Sequence, residues 1–144
     1  MAATTNNHPR NMLVMKASAG SGKTYNLALQ YIKHLLFTTD ETGRLIPRRG
    51  SGDDRILNAH RLLLAITFTN KATDQMKGRI VDELYNLASV GKKSKYLQGF
   101  MNESGLPESR VRKLARMALN ELMLDYSNFN VSTIDSFFQS ILPR

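Results

Sequence analysis

A mostly parallel α/β sheet with helices on its faces is the fold this sequence predicts, and three observations predict it. Short apolar runs, at residues 12–15, 62–66 and 129–133, alternate with longer segments of helical period. Each run passes directly into a turn that opens a helix, at residues 17–24, 67–71 and 132–137. The chain has 144 residues, enough for one domain with a real core. In such sheets ligands sit beyond the carboxyl ends of the strands. The three turns are therefore expected to meet along one rim.

The elements follow in order. Residues 1–11 are rich in Ala, Thr and Asn and predict a frayed lead-in. Residues 13–17 predict a buried strand. The segment after the first turn places Leu27, Tyr31 and Leu35 on one stripe with Ala28 and Ile32 beside it, which predicts a helix packed on the sheet. Residues 38–58 break the pattern with Gly43, Pro47, Gly50 and Gly52 among charges. They predict a long mobile connection with room for a hairpin. Arg48 and Arg49 in it are expected to be solvated, with a nucleic-acid backbone as the other partner open to them.

The continuous apolar run Leu62-Leu63-Leu64-Ala65-Ile66 suits a strand covered on both faces. Thr69 or Asn70 then caps a helix whose stripe is Ala72, Met76, Ile80 and Leu84. Residues 92–96 form a basic, irregular join. Pro107 suits a first helical turn, and Val111, Leu114, Ala115, Ala118 and Leu122 mark a helix running to about Tyr126. Residues 129–133 predict a third short strand. A last helix spans about 134–142, with Thr133 or Asp135 at its start. The sequence halts at Pro143-Arg144 as this helix gets under way, so the front end of a longer protein is expected.

The first turn, Ala17-Ser18-Ala19-Gly20-Ser21-Gly22-Lys23-Thr24, carries the chemistry. Gly20 and Gly22 let the backbone wind so that successive N–H groups face an anion. The helix that follows adds free N–H groups and the positive end of its dipole. Lys23 supplies a point charge for β- and γ-phosphates, and the Thr24 hydroxyl is a ligand for Mg²⁺. Ala17 stands where the P-loop pattern has its first glycine, so the turn begins without a left-handed residue. An ordinary Gly/Ser turn before a surface lysine would give no reason for the strand and helix on either side.

Bulk composition bounds the rest. A net charge of +8 leans towards an acidic partner, nucleic acid above all. With no cysteine there is no disulfide framework and no thiolate metal site, and His8, His34 and His60 lack metal-ligand spacing. No apolar run reaches transmembrane length and the first ten residues lack a signal-peptide core, so no membrane is expected and the cytoplasm is the default location. ATP hydrolysis also needs a carboxylate for Mg²⁺, and none of the acids ends an apolar strand. Asp82-Glu83, Asp125 and Asp53-Asp54 are each expected to be solvated helix or loop carboxylates.

Taken together, the three turns resemble motifs of superfamily 1 helicases. Residues 16–24 resemble motif I. Ala65-Ile66-Thr67-Phe68-Thr69-Asn70-Lys71-Ala72, followed by Met76, resembles motif Ia. Val131-Ser132-Thr133-Ile134-Asp135-Ser136-Phe137-Phe138 resembles the next motif, just before the inserted subdomain 1B. Order and spacing match over nearly the whole chain except the first residues and 38–58. The long helical stretch at 92–126, and the lack of a glutamine motif ahead of the first turn, make the chain most similar to the RecB-type helicase–nucleases within the UvrD/RecB group. Asp135 stands where many relatives have histidine.

The resemblance implies a RecA-like P-loop NTPase fold, of which residues 1–144 are the N-terminal part of domain 1A. It implies a motor that hydrolyses ATP with Mg²⁺ and moves 3′ to 5′ along single-stranded DNA. A nuclease or helicase subunit is the implied partner, and recombination and repair the implied setting. By that resemblance Ala17, Ser18, Ala19, Gly20, Ser21, Gly22, Lys23 and Thr24 hold the nucleotide, Lys23 and Thr24 act in catalysis, and Thr24 binds Mg²⁺. Phe68, Thr69, Asn70 and Lys71 meet the DNA, as do Thr133, Ser136 and Phe137. Hydroxyls and amides at helix starts suit phosphate oxygens, and a phenylalanine suits stacking on any base. Core packing is the ordinary alternative for Phe68 and Phe137, and the expectation for Phe138. The fragment alone is expected to turn over little ATP. Two other readings remain open at this point: a small P-loop kinase or GTPase-like protein, and a non-catalytic DNA-binding module with a vestigial loop.

Overall fold

The computed structural model describes residues 12–16 and 21–142, with residues 21–24 described as backbone only. Its centre is a parallel sheet of three strands: β1 (Leu13–Lys16), β4 (Leu63–Thr67) and β5 (Val131–Thr133), in the order β1-β4-β5. Two crossovers build it. The first runs through α1 (Ser21–Leu36) and an antiparallel hairpin of β2 (Phe37–Thr39) and β3 (Leu45–Pro47). The second runs through α2 (Asn70–Ala88), α3 (Leu97–Ser104) and α4 (Glu108–Leu124). A final helix, α5 (Ile134–Ile141), follows β5 without a gap.

Alternation along the strands decides which side chains meet which layer. Met15, Leu63, Ala65 and Val131 join the large core built with α1, α2 and α4. Val14, Leu64 and Ile66 point the other way and pack with Met12 and with Ile134 and Phe137 of α5. The middle strand β4 is consequently buried at all five positions, which is why its sequence is a continuous apolar run ending in threonine. The expected stripe of α1 is buried throughout, as are Met76, Ile80 and Leu84 of α2.

The segment after β2 takes the hairpin option that the sequence left open for residues 38–58. It forms the hairpin and then an irregular stretch tied down by side chains. Arg48 caps the end of α1, donating from Nε to the His34 carbonyl at 2.6 Å, while its own N–H meets the Leu36 carbonyl at 2.9 Å. Arg49 is neither solvated nor free for a nucleic acid. It is 4% exposed, donates to the carbonyls of Asp53 and Arg55, and pairs with Glu121 of α4 at 2.6 Å. Glu121 also accepts the N–H groups of Leu57 and Asn58. Cationic charge read as a surface feature is thus spent on holding a loop that has few apolar residues to bury.

Two of the acids expected to be solvated are structural as well. Glu83 is buried on α2. Asp125, at the end of α4, accepts both Nε and Nη2 of Arg61, along with His60 Nε2 at 2.7 Å and Asn128 Nδ2 at 3.0 Å. These contacts fasten the start of β4 to the end of α4. Asp53, half-buried, is held in a fork by the exposed Arg55.

Helix α3 lies within the helical stretch expected at 92–126, where no separate helix is marked out by the sequence. Its eight residues are short for a periodic signal, though Gly105 marks its end: φ is 74°, and its N–H closes on the Met101 carbonyl. Arg112 of α4 explains how α2 stops nearby. It is buried, and its guanidinium donates to the carbonyls of Asn86, Leu87 and Ser89, groups a helix end leaves without partners, and to that of Lys92 in the join beyond.

The carboxyl of Asp125 is held well below the usual carboxylate range, by Arg61 first and then by Asn128 and His60. A depressed value means stability present above about pH 4, the unfolded carboxylate value, and lost as the pH falls towards the folded one. Asp125→Asn is expected to flatten the acid limb of stability. Thermal unfolding from neutral to strongly acidic pH should show the variant less stable near neutrality and converging on the parent in acid. A constant gap across the whole range would refute the role given to this charge.

Candidate nucleotide and nucleic-acid rim

The register of the sheet sets the site. Lys16, the last residue of β1, pairs with Ile66, and Thr67, the last of β4, pairs with Thr133, the last of β5. All three strands run in one direction and end within one residue of one another. Their ends lie side by side, about 5 Å apart per strand step. The β4–α2 turn leaves the middle strand.

The first turn falls mainly outside the described residues. Ala17, Ser18, Ala19 and Gly20 are not described, and Ser21, Gly22, Lys23 and Thr24 form the backbone of the first turn of α1. What is described suits a phosphate: a helix opens at the carboxyl end of a sheet strand, and its first turn carries no acidic residue. Tyr25, next along, is half-buried against Tyr96, with ring centroids 5.5 Å apart.

In the second turn Thr69 is the cap of α2. It has extended backbone, and its hydroxyl accepts the Ala72 N–H at 3.0 Å. The first turn of α2 is also free of acids. Asn70 and Lys71 are exposed, and Phe68 is 55% exposed at the apex of the turn. For a side chain open to either reading, that exposure removes core packing as its explanation.

In the third turn Thr133 caps α5, accepting the Ser136 N–H at 3.1 Å, while its hydroxyl donates to Ser136 Oγ at 2.9 Å. Asp135 is exposed within the first turn of α5. Its charge complements the helix dipole and repels a phosphate, so this turn suits contact with a base or sugar better than with the backbone. Phe137 is half-buried, packed on the Val14, Leu64 and Ile66 cluster. Phe138 contradicts the expectation of core packing. It is 50% exposed, its ring 6.0 Å from that of Phe137. Short α5 covers the second sheet face with one side only, and Phe138 falls on the other. Beside α5 lies a groove of about 750 Å³, lined by Leu64, Val131, Ser132, Phe137 and Ile141 among others.

One part of the rim escaped sequence reasoning. Thr67, 5% exposed, brings its hydroxyl to 2.7 Å from that of Thr73 and to 3.4 Å from the Ser132 carbonyl. Thr73 in turn reaches the Thr69 carbonyl at 3.2 Å. The four-residue step from Thr69 to Thr73, one helical turn at a capped start, was the signal available.

No helix among the described residues is long and apolar enough to cross a membrane. No solved structure matches the chain. Two curated relatives share the name RecBCD enzyme subunit RecB. The one from Borreliella burgdorferi is 28% identical over 82% of this chain and 9% of its own length. The one from Buchnera aphidicola subsp. Acyrthosiphon pisum is 31% identical over 90% of this chain and 10% of its own. The chain therefore spans about a tenth of the length of the relatives it matches. The model of one family, the UvrD/REP helicase N-terminal domain, matches residues 2–144, and the chain belongs to that family.

Proposed function

We propose that residues 1–144 form the front part of motor domain 1A of an ATP-dependent, RecB-like DNA helicase. The motor would move 3′ to 5′ along single-stranded DNA, within a helicase–nuclease of recombination and repair. The observation that carries this reading is three parallel strands that end within one residue of one another, each continuing towards one of the three motifs. The match to relatives named as RecBCD subunits supports a multi-subunit assembly as the setting. A cytoplasmic location goes with that setting.

In this reading Ala17 to Gly22 wrap the phosphates, Lys23 neutralises the terminal ones, and Thr24 offers its hydroxyl to Mg²⁺. Hydrolysis of the bound nucleotide supplies the free energy for movement. The exposed Phe68, Asn70 and Lys71, with the Thr69 hydroxyl, receive one stretch of the strand. Thr133, Ser136 and Phe137 receive the next. Backbone and hydroxyl contacts of this type position a strand without reading its sequence. The stacking surface at Phe68 accepts any base.

Thermal unfolding with and without ATP and Mg²⁺ tests the nucleotide half. At ten times Kd, ligand should add about 1.4 kcal/mol. That is roughly 3–8 °C in Tm for a chain of this size. Anisotropy titration with a short oligothymidine at several salt concentrations tests the other half, and affinity should fall steeply as salt rises. Salt-dependent DNA binding with no nucleotide effect would replace the motor by a non-catalytic binding module. Phosphotransfer to a small molecule by these residues alone would replace it by a kinase.

A further inference from the structure

The hydroxyls of Thr67 and Thr73 pose a question of proton supply. They lie 2.7 Å apart, and each has one hydrogen to donate. If Thr67 donates to Thr73, Thr73 is free to donate to the Thr69 carbonyl at 3.2 Å. The β4–α2 turn is then tied only to itself. If Thr73 donates to Thr67, the Thr67 hydrogen is shared between the Thr69 carbonyl within the turn and the Ser132 carbonyl of β5, each at 3.4 Å. The turn is then tied to β5, one residue ahead of Thr133. The two arrangements differ by a concerted rotation of two hydroxyls and need no backbone movement.

Folding alone gives little reason for this pair. β4 and β5 are already joined by their ladder from Ala65 to Thr67, and the Thr69 carbonyl already accepts the Thr73 N–H at 3.0 Å. Thr67 is 5% exposed, a place where valine would fit by shape. Two hydroxyls there, between the turn carrying Phe68 and Thr69 and the turn carrying Thr133 and Ser136, act on the relation between those turns.

We infer that Thr73, acting through Thr67, is a positioning residue that couples the β4–α2 turn to the β5–α5 turn and so sets the spacing of the single-stranded DNA track. Thr73 touches no DNA itself. The inference rests on the proposed reading of the rim as a DNA surface. It goes beyond that reading in assigning a residue, and a coupling, that neither the motif resemblance nor the relatives supply.

The test uses Thr73→Val, which keeps the shape and removes the hydroxyl, and Thr73→Ser, which restores it. Binding of oligothymidine is measured by anisotropy, and nucleotide binding by the rise in Tm with ATP and Mg²⁺. The valine variant should bind DNA about fivefold more weakly, the worth of one lost hydrogen bond. The serine variant should bind within about twofold of the parent on that same scale. Both should keep the full nucleotide-induced rise in Tm, which a merely loosened fold would not. Native affinity in the valine variant, or serine as weak as valine, overturns the inference while leaving the DNA surface standing. A parent protein that does not bind the oligonucleotide at low salt overturns the DNA surface itself, and the inference with it. Should Thr73→Val fail to fold, Thr67→Val against Thr67→Ser applies the same criterion to the same pair.

Discussion

Lys23→Ala is expected to abolish ATP hydrolysis in a protein that contains the complete motor. The loss should reach at least a hundredfold in kcat, the scale on which removing one preorganised charge-stabilising group is felt. Phosphoryl transfer asks the protein for little covalent chemistry and for a great deal of charge neutralisation and positioning. In a turn built from Gly, Ser and Ala, Lys23 is the one side chain that brings a full positive charge. Steady-state hydrolysis by the purified variant, with and without single-stranded DNA, is the measurement. Thermal unfolding confirms that the fold is kept. Retained turnover would refute the assignment of Lys23 while leaving the family intact.

The second large effect lies far from the rim. Glu121→Ala should destabilise the chain by about 3–5 kcal/mol, because it strands a buried guanidinium. Arg49 Nη2 lies 2.6 Å from Glu121, with the two side chains 5% and 12% exposed. The same carboxylate accepts the N–H groups of Leu57 and Asn58, so one truncation strips three donors of their acceptor. Chemical denaturation of the variant reads the loss directly. Glu121→Gln should cost less, since the amide oxygen can still accept. Equal losses for the two variants would show that packing, not the buried charge, sets the effect. The consequence for function is indirect: this clamp holds the segment that leads from the hairpin into β4, and β4 is the strand from which the middle turn of the rim departs.

What the sequence by itself determined is the order of elements and the three turns. The run at 62–66 was legible as a doubly covered strand, since apolar side chains in a row leave no face for water, and the strand takes up all of it except Leu62, which is exposed at the end of a 3₁₀ turn. Caps were legible as Thr69 or Asn70 and as Thr133 or Asp135, because a polar side chain just ahead of a helical stripe has a local task that needs no distant partner; Thr69 and Thr133 take it. The stripes of α1, α2 and α4 were legible for the same reason: a period of 3.6 residues is written within one segment.

What only the tertiary structure decided are the facts that depend on residues far apart in the chain. Arg49 and Glu121 are 72 positions apart, and Arg61 and Asp125 are 64. Nothing local distinguishes such charges from solvated ones, so arginines that hold a loop read as surface, and Asp125 read as a free carboxylate. Phe138 read as core because an aromatic beside an aromatic looks buried until the one-sided packing of α5 is seen. The coupling of Thr67 and Thr73 to Ser132 required the register of β4 against β5, which alternation along either strand cannot supply. Local chemistry is encoded locally and survives without coordinates; the partner of a buried charge or hydroxyl is a property of the closed chain.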